Sequence, residues 1–323
     1  MDATTEPIVA VVGYPIAGNP TQFALETGLE AAGIDCRIFS INLSPDSTAD
    51  ALIGMAAMNF AGVWVARSSM APVQKWLAED LDQASSVDFL IPPCGKSAKQ
   101  PRDWKTFKLK AEAWPKLVAT HLAVSDYSLK KVILAGGPNS RIQVLSTGKK
   151  GSGKQETGQE GNAEVAVNET AIEGKPGSTA SLGIQAAFLK ECQAQLGKVF
   201  GELTESDVEP FRRLPTHAEI TNRLNELADD EGVLVVLGPD ADRTAWNASM
   251  NSIPRRTVVV DLNGAWEPMD VAHAEHLKAS SDGHLIRSLD IHAQCLSSLV
   301  KQLFESTVAA EVFQEAIDEY LAV

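Results

Sequence analysis

The chain has 323 residues, 44% of them hydrophobic, and a formal net charge of −14. That length accommodates two domains with a sizeable core. The acidic balance argues against nucleic acid or an anionic membrane surface as partner, since both need a basic face. No run approaches the roughly 18 apolar residues of a membrane-spanning helix. The start, "MDATTEPIVAVVGYPIAG", has an acidic front and no basic region before its apolar run, so it reads as a strand rather than a signal peptide. The four cysteines (Cys36, Cys94, Cys192, Cys295) are scattered, and are expected to be reduced thiols in a cytoplasmic protein. The six histidines form no HxxxH or HxH pair, so no metal site is expected.

In chain order, "PIVAVVGYPI" is a short β-branched run that stops at Gly and Pro, as a buried strand does. "PTQFALETGLEAAGI" follows with Leu25, Leu29 and Ala32 at helical spacing, closed by Gly33. "CRIFSINL" alternates as a strand, "SPDSTADALIGMAAMN" opens with cap residues and continues as an amphipathic helix, and "FAGVWVAR" is a strand. "APVQKWLAEDLDQA" sets Val73, Trp76, Leu77 and Leu81 on one face, and "SSVDFLIPP" is a further strand. This alternation implies an α/β fold with a mainly parallel sheet.

A polar stretch, "CGKSAKQPRD", then marks a domain crossing, and "WKTFKLKAEAWPKLVATHL" reads as helix. "LKKVILAGG" is a buried strand ending in glycines. "SRIQVLST" and "AEVAVNET" alternate around the polar, glycine-rich "GKKGSGKQETGQEGN", which predicts a β-hairpin with a long tip. A helix with Leu182, Ala186, Leu189 and Leu196 in phase follows "GKPGSTAS". "KVFGEL" is a candidate strand and "THAEITNRLNELADDEG" a helix; "VLVVLG" and "RRTVVVDLNG" are buried strands, and the end is helical from about Leu289 to Leu321.

The segment "VVGYPIAGNPTQFALETGLEAAGID" resembles the opening of the shikimate and quinate dehydrogenase family, a strand followed by G-x-P-I, a Ser-x-Ser pair and a helix. Gly13, Pro15 and Ile16 match, and Asn19 and Thr21 stand for the serines, keeping hydrogen-bonding capacity. "MNFAGVWVARSSMAPVQ" resembles the family's G-F-x-G-x-N-V-T-x-P-x-K segment, with Gly62 and Val65 matching, Trp64 for the asparagine and Met70 for the lysine that serves the family as acid/base. Methionine carries no exchangeable proton. Asp88 takes the place of a substrate-binding asparagine, and Asp103, in "KQPRDWKTF", that of the catalytic aspartate. The glycine-rich cofactor loop corresponds to "VILAGGPNSR", but Pro138 and the alternating segment after it displace the helix that phosphate binding requires. The resemblance thus implies a hairpin inserted in that loop, with Gly136, Gly137, Gly177, Ser178 and Thr179 as the cofactor-binding set.

The resemblance spans the chain as an order of elements; residues 7–90 carry it in specific motifs. It implies a substrate-binding domain over 1–98, with a C-terminal helix of about 305–323 packing back on it, and a Rossmann-like nucleotide domain over 99–304 with its insertion at about 138–175. Implied site residues are Asp103 for catalysis and Asn19, Thr21, Trp64 and Asp88 for substrate. The implied activity is an NAD(P)-dependent oxidoreductase (NADP or NAD, no metal) acting on shikimate, quinate or a related small hydroxy acid. A catalytically inactive relative that senses a small ligand or binds a partner is the alternative, and an oligomer, a dimer foremost, is left open. The loss of the lysine at Met70 together with the split glycine loop is what keeps that alternative in view.

Overall fold

The computed structural model describes residues 6–78, 87–93, 100–125, 129–136, 208–213, 232–237, 256–262 and 284–322. The first sheet holds β1 (Ile8–Gly13), β2 (Arg37–Asn42), β3 (Gly62–Val65), β4 (Phe89–Ile91) and β5 (Lys105–Phe107), in the order β2-β1-β3-β4-β5. Three helices alternate with its strands: α1 (Thr21–Ala31), α2 (Thr48–Ala57) and α3 (Arg67–Ala78). β1 pairs in parallel with β2 and β3, while β4 runs antiparallel to both β3 and β5. The sheet is therefore mixed. An alternating strand–helix pattern leaves the direction of an edge pair open, because antiparallel strands can be joined without a helical crossover.

Side-chain alternation along the strands divides the core. Val9 and Val11 of β1, Trp64 of β3 and Phe89 of β4 join one buried cluster, with residues of α1 and the two C-terminal helices. Ala10, Val12, Val63, Val65 and Leu90 point to the opposite face, where α2 and α3 cover them with Leu52, Met55, Val73, Trp76 and Leu77. Because both faces are covered, β1 reads as an unbroken apolar run.

Residues 104–122, read from sequence as helix, divide: Lys105–Phe107 form strand β5, and helix α4 (Leu109–Ala123) follows with Pro115 inside it. The C-terminal helical stretch likewise divides into α5 (Ser288–Phe304) and α6 (Ala310–Leu321). Glu305, at φ 55°, ends α5 in the left-handed region. Ser297 Oγ donates to Val308 O at 2.6 Å, fastening the link between the two helices back onto α5. α6 lies on α1, and the contact needs a glycine: a Cβ on Gly28 would fall 2.1 Å from Cε1 of Phe313, itself fully buried.

The second sheet, β10-β9-β8-β6-β7, comprises β6 (Leu129–Gly136), β7 (Val208–Arg213), β8 (Gly232–Leu237), β9 (Thr257–Asp261) and β10 (His284–Ile286). Its four strand pairs are all parallel, and β8 and β9 are buried along their whole length. The hairpin expected over 138–175, the strand at "KVFGEL" and the two helices expected within 178–230 lie outside the described residues.

Candidate functional site

At the C-terminal edge of the first sheet, β1 ends at Gly13 and a cis Tyr14–Pro15 bond follows. Ser68, in the first turn of α3, ties this turn down: its Oγ accepts from Tyr14 N–H at 2.8 Å and donates to Pro15 O at 3.4 Å. A Cβ on Gly13 would meet Ile16 Cδ1 at 2.6 Å and Ala66 Cβ at 3.2 Å, so a side chain here would have to displace the Ile16 tip and crowd Ala66. Asn19 Oδ1 accepts from Thr21 N–H at 2.9 Å, closing a turn at the start of α1. The Thr21 side chain is fully buried, and its Oγ1 lies 3.0 Å from Nε2 of His292 in α5.

Trp64, 1% exposed, stands edge-on to His292, with ring centroids 5.0 Å apart at 83°. The ammonium of Lys110, in the first turn of α4, lies 5.8 Å from the centroid of the Trp64 ring. Asp88 completes the group. Its backbone bridges two strands, accepting from Val65 N–H at 2.9 Å and donating to Phe107 O at 3.1 Å. Its buried carboxylate accepts from Leu109 N–H at 2.8 Å and from Lys110 N–H at 2.7 Å, satisfying two amides that the helix cannot satisfy itself.

Burial pushes the Asp88 carboxyl up to about 6, outweighing the nearby Lys110 charge and the two amide bonds. Burial also pulls His292 down to about 3, and Lys110 adds to that shift, so the imidazole is neutral across the physiological range. Cys295, three residues further along α5, is buried and its thiol is pushed up by the same desolvation. The arrangement is a desolvated polar group whose local formal charges reside on Asp88 and Lys110.

Of the residues expected from sequence, Thr21, Trp64 and Asp88 meet here, with Asn19 beside them holding the turn. Asp103 does not. It precedes β5, whose Lys105 pairs with Ile91 while Phe107 pairs with Phe89, so it lies toward the opposite end of the strand from Asp88. Asp103 is exposed, and its neighbour Trp104 is buried edge-on against Trp76, with centroids 5.5 Å apart, on the α3 face of the sheet. The helix start beside Asp88 carries Lys110 instead. Met70 is half-buried in α3, packed against the cluster on that same face.

Lys110 and His292 were not singled out from sequence. A helix reading of 104–122 hides the strand-to-helix junction that puts Lys110 at a sheet edge. His292 is a single histidine among the apolar positions Leu289, Ile291 and Ala293, a pattern that reads as core. Among the described residues no group of three metal-ligating side chains occurs.

Gly136 ends β6, which is flanked by β7 on one side and β8 on the other. This is a topological switch point, and in open parallel sheets dinucleotides bind outside the carboxyl ends of the strands at such a point. Gly137, Gly177, Ser178 and Thr179 lie outside the described residues.

No protein-family model matches the chain, and no curated protein sequence does. Solved structures match along its whole length. The ligand-free 5-ketofructose reductase of a Gluconobacter strain is 15% identical, with a TM-score of 0.56 over 98% of this chain and 99% of that one. Shikimate 5-dehydrogenase of Thermus thermophilus, in complex with shikimate, is 14% identical, with a TM-score of 0.54 over 98% and 100%. A shikimate dehydrogenase in complex with NADP+ is 12% identical, with a TM-score of 0.57 over 98% and 96%. The chain has the shikimate dehydrogenase fold. Among the described residues no helix is long and apolar enough to cross a membrane.

Proposed function

We propose that this chain is an NAD(P)-dependent oxidoreductase acting on shikimate, quinate or a related small hydroxy acid bound at the C-terminal edge of the first sheet. The observation that carries the reading is the convergence of Thr21, Trp64, Lys110 and His292, from four separate elements, with Asp88 just before β4, at that edge. A fold does not specify a reaction, so the weight rests on this group. The likeness to structures holding shikimate or NADP+ supports the choice of ligand and cofactor classes.

In this reading the dinucleotide supplies the hydride acceptor, and Gly136, at the switch point of the second sheet, lies where its phosphates would approach the backbone. The chain's own residues do the binding. Asn19 and Ser68 hold the corner after β1, and Asp88 holds the first turn of α4. Thr21, neutral His292 and the Trp64 ring form a desolvated wall. Lys110 supplies positive charge.

One observation favours a second reading, a relative that binds the ligand without turning it over. Met70 has no proton to exchange, and both oxygens of Asp88 are engaged by backbone amides. Oxidation of shikimate and of quinate with NADP and with NAD separates the two. Absence of turnover in all four combinations removes the shikimate and quinate dehydrogenase reading. Thermal stabilisation by shikimate or quinate in that case supports the second.

A further inference from the structure

We infer that Lys110 is the anchor for the carboxylate of an anionic ligand, and that Asp88 is the positioning residue that sets it in place. This rests on the reading that the edge of the first sheet takes a small hydroxy acid. Lys110 is half-buried, and among the described residues its ammonium has no carboxylate within ion-pairing distance. Among the described residues the one anion whose charge it is seen to share is the buried Asp88, which lies outside ion-pairing distance. The Trp64 ring, 5.8 Å away, contributes a weak cation–π attraction, and His292 and Cys295 are both held neutral by burial.

Asp88 is the nearby carboxylate, but each of its oxygens already accepts a backbone amide, one of them from Lys110 itself at 2.7 Å. That bond holds the root of the lysine side chain at the sheet edge. The root of the side chain is therefore fixed by a buried group, while among the described residues the ammonium makes no ion pair. A partly desolvated cation gains more from an incoming carboxylate than an exposed one does. The adjoining Thr21, His292 and Trp64 offer no further charge, which fits a ligand bearing one carboxylate on a neutral, hydroxylated body.

Isothermal titration calorimetry on the full chain, with shikimate and its uncharged methyl ester as probes, tests this. The expected result is that wild type prefers shikimate over the ester by about tenfold or more, the scale of a charge-assisted hydrogen bond. Lys110→Met and Lys110→Gln should bind both probes alike, at about the wild-type affinity for the ester, and Lys110→Arg should recover most of the preference. Asp88→Asn should retain ester binding and lose most of the preference, a change in ratio that simple destabilisation does not produce. A full preference in Lys110→Met and Lys110→Gln overturns the anchor, as does equal loss of both probes in these variants. An Asp88→Asn protein with an unchanged preference overturns the positioning role. Wild type that binds neither probe nor quinate overturns the hydroxy-acid reading beneath, and the anchor with it.

Discussion

Thr21 Oγ1 sits 3.0 Å from His292 Nε2, a buried contact between residues 271 apart in sequence that joins the first turn of α1 to α5. Replacing Thr21 by Val keeps the shape and removes the hydroxyl. Loss of one member of a buried polar pair should cost about 1–3 kcal/mol, whereas Thr21→Ser should retain most of the stability. Urea unfolding of the two variants checks this, and equal midpoints would contradict it.

His292 and Asp88 give opposite pH dependences. The unfolded chain protonates the histidine near its usual 6.5, the folded chain only near about 3, so His292 withdraws stability as pH falls from 6.5 toward 3. The folded Asp88 carboxyl takes its proton near about 6, the unfolded one near 3.8, so acidification through that window adds stability. In wild type the two largely offset. His292→Gln should therefore gain stability relative to wild type between about pH 7 and pH 4.5, and Asp88→Asn should lose it, with limiting slopes of about 1.4 kcal/mol per pH unit. Denaturant midpoints at the two pH values decide the matter; shifts of the same sign in both variants would refute the assignment.

Gly28→Ala would ordinarily strengthen a helix by up to about 1 kcal/mol. Here its methyl would meet the Phe313 ring, so α1 and α6 must separate, and a net loss of about 1–3 kcal/mol is expected. Phe313→Ala alone should cost about 3–5 kcal/mol. Because the added methyl enters the space the ring vacates, the double variant should be more stable than the sum of the two losses predicts. A thermal-denaturation cycle measures the coupling, and strict additivity would rule the contact out.

Asp103→Asn should leave shikimate affinity within about twofold of wild type, since the residue lies toward the far end of β5 from Asp88. Calorimetric titration of the variant is sufficient. A loss of tenfold or more would return Asp103 to the site.

Much of the architecture follows from local pattern. The apolar run of β1 calls for a strand covered on both faces, and the helical spacing of Leu25 and Leu29 calls for α1. The close approach of Ile16, Ala66 and Ser68 to Gly13 favours a small residue at the opening of the G-x-P-I motif. These features depend on neighbours a few residues away or on strand periodicity, so they can be read from the chain itself.

The membership of the proposed site could not. Thr21, Trp64 and Asp88 could be named as candidates, but Lys110 and His292 join them only because β5 turns back antiparallel and α5 returns to the first sheet. Asp103 resembles a catalytic aspartate in its local sequence, and the direction of one three-residue strand sets it toward the far end of β5 from Asp88. Strand direction and helix return depend on contacts between distant residues, whose energies local sequence does not record. The chain determined which faces would be buried; the tertiary structure decided which charges share the edge of the first sheet, and left Lys110 rather than Asp103 beside Asp88.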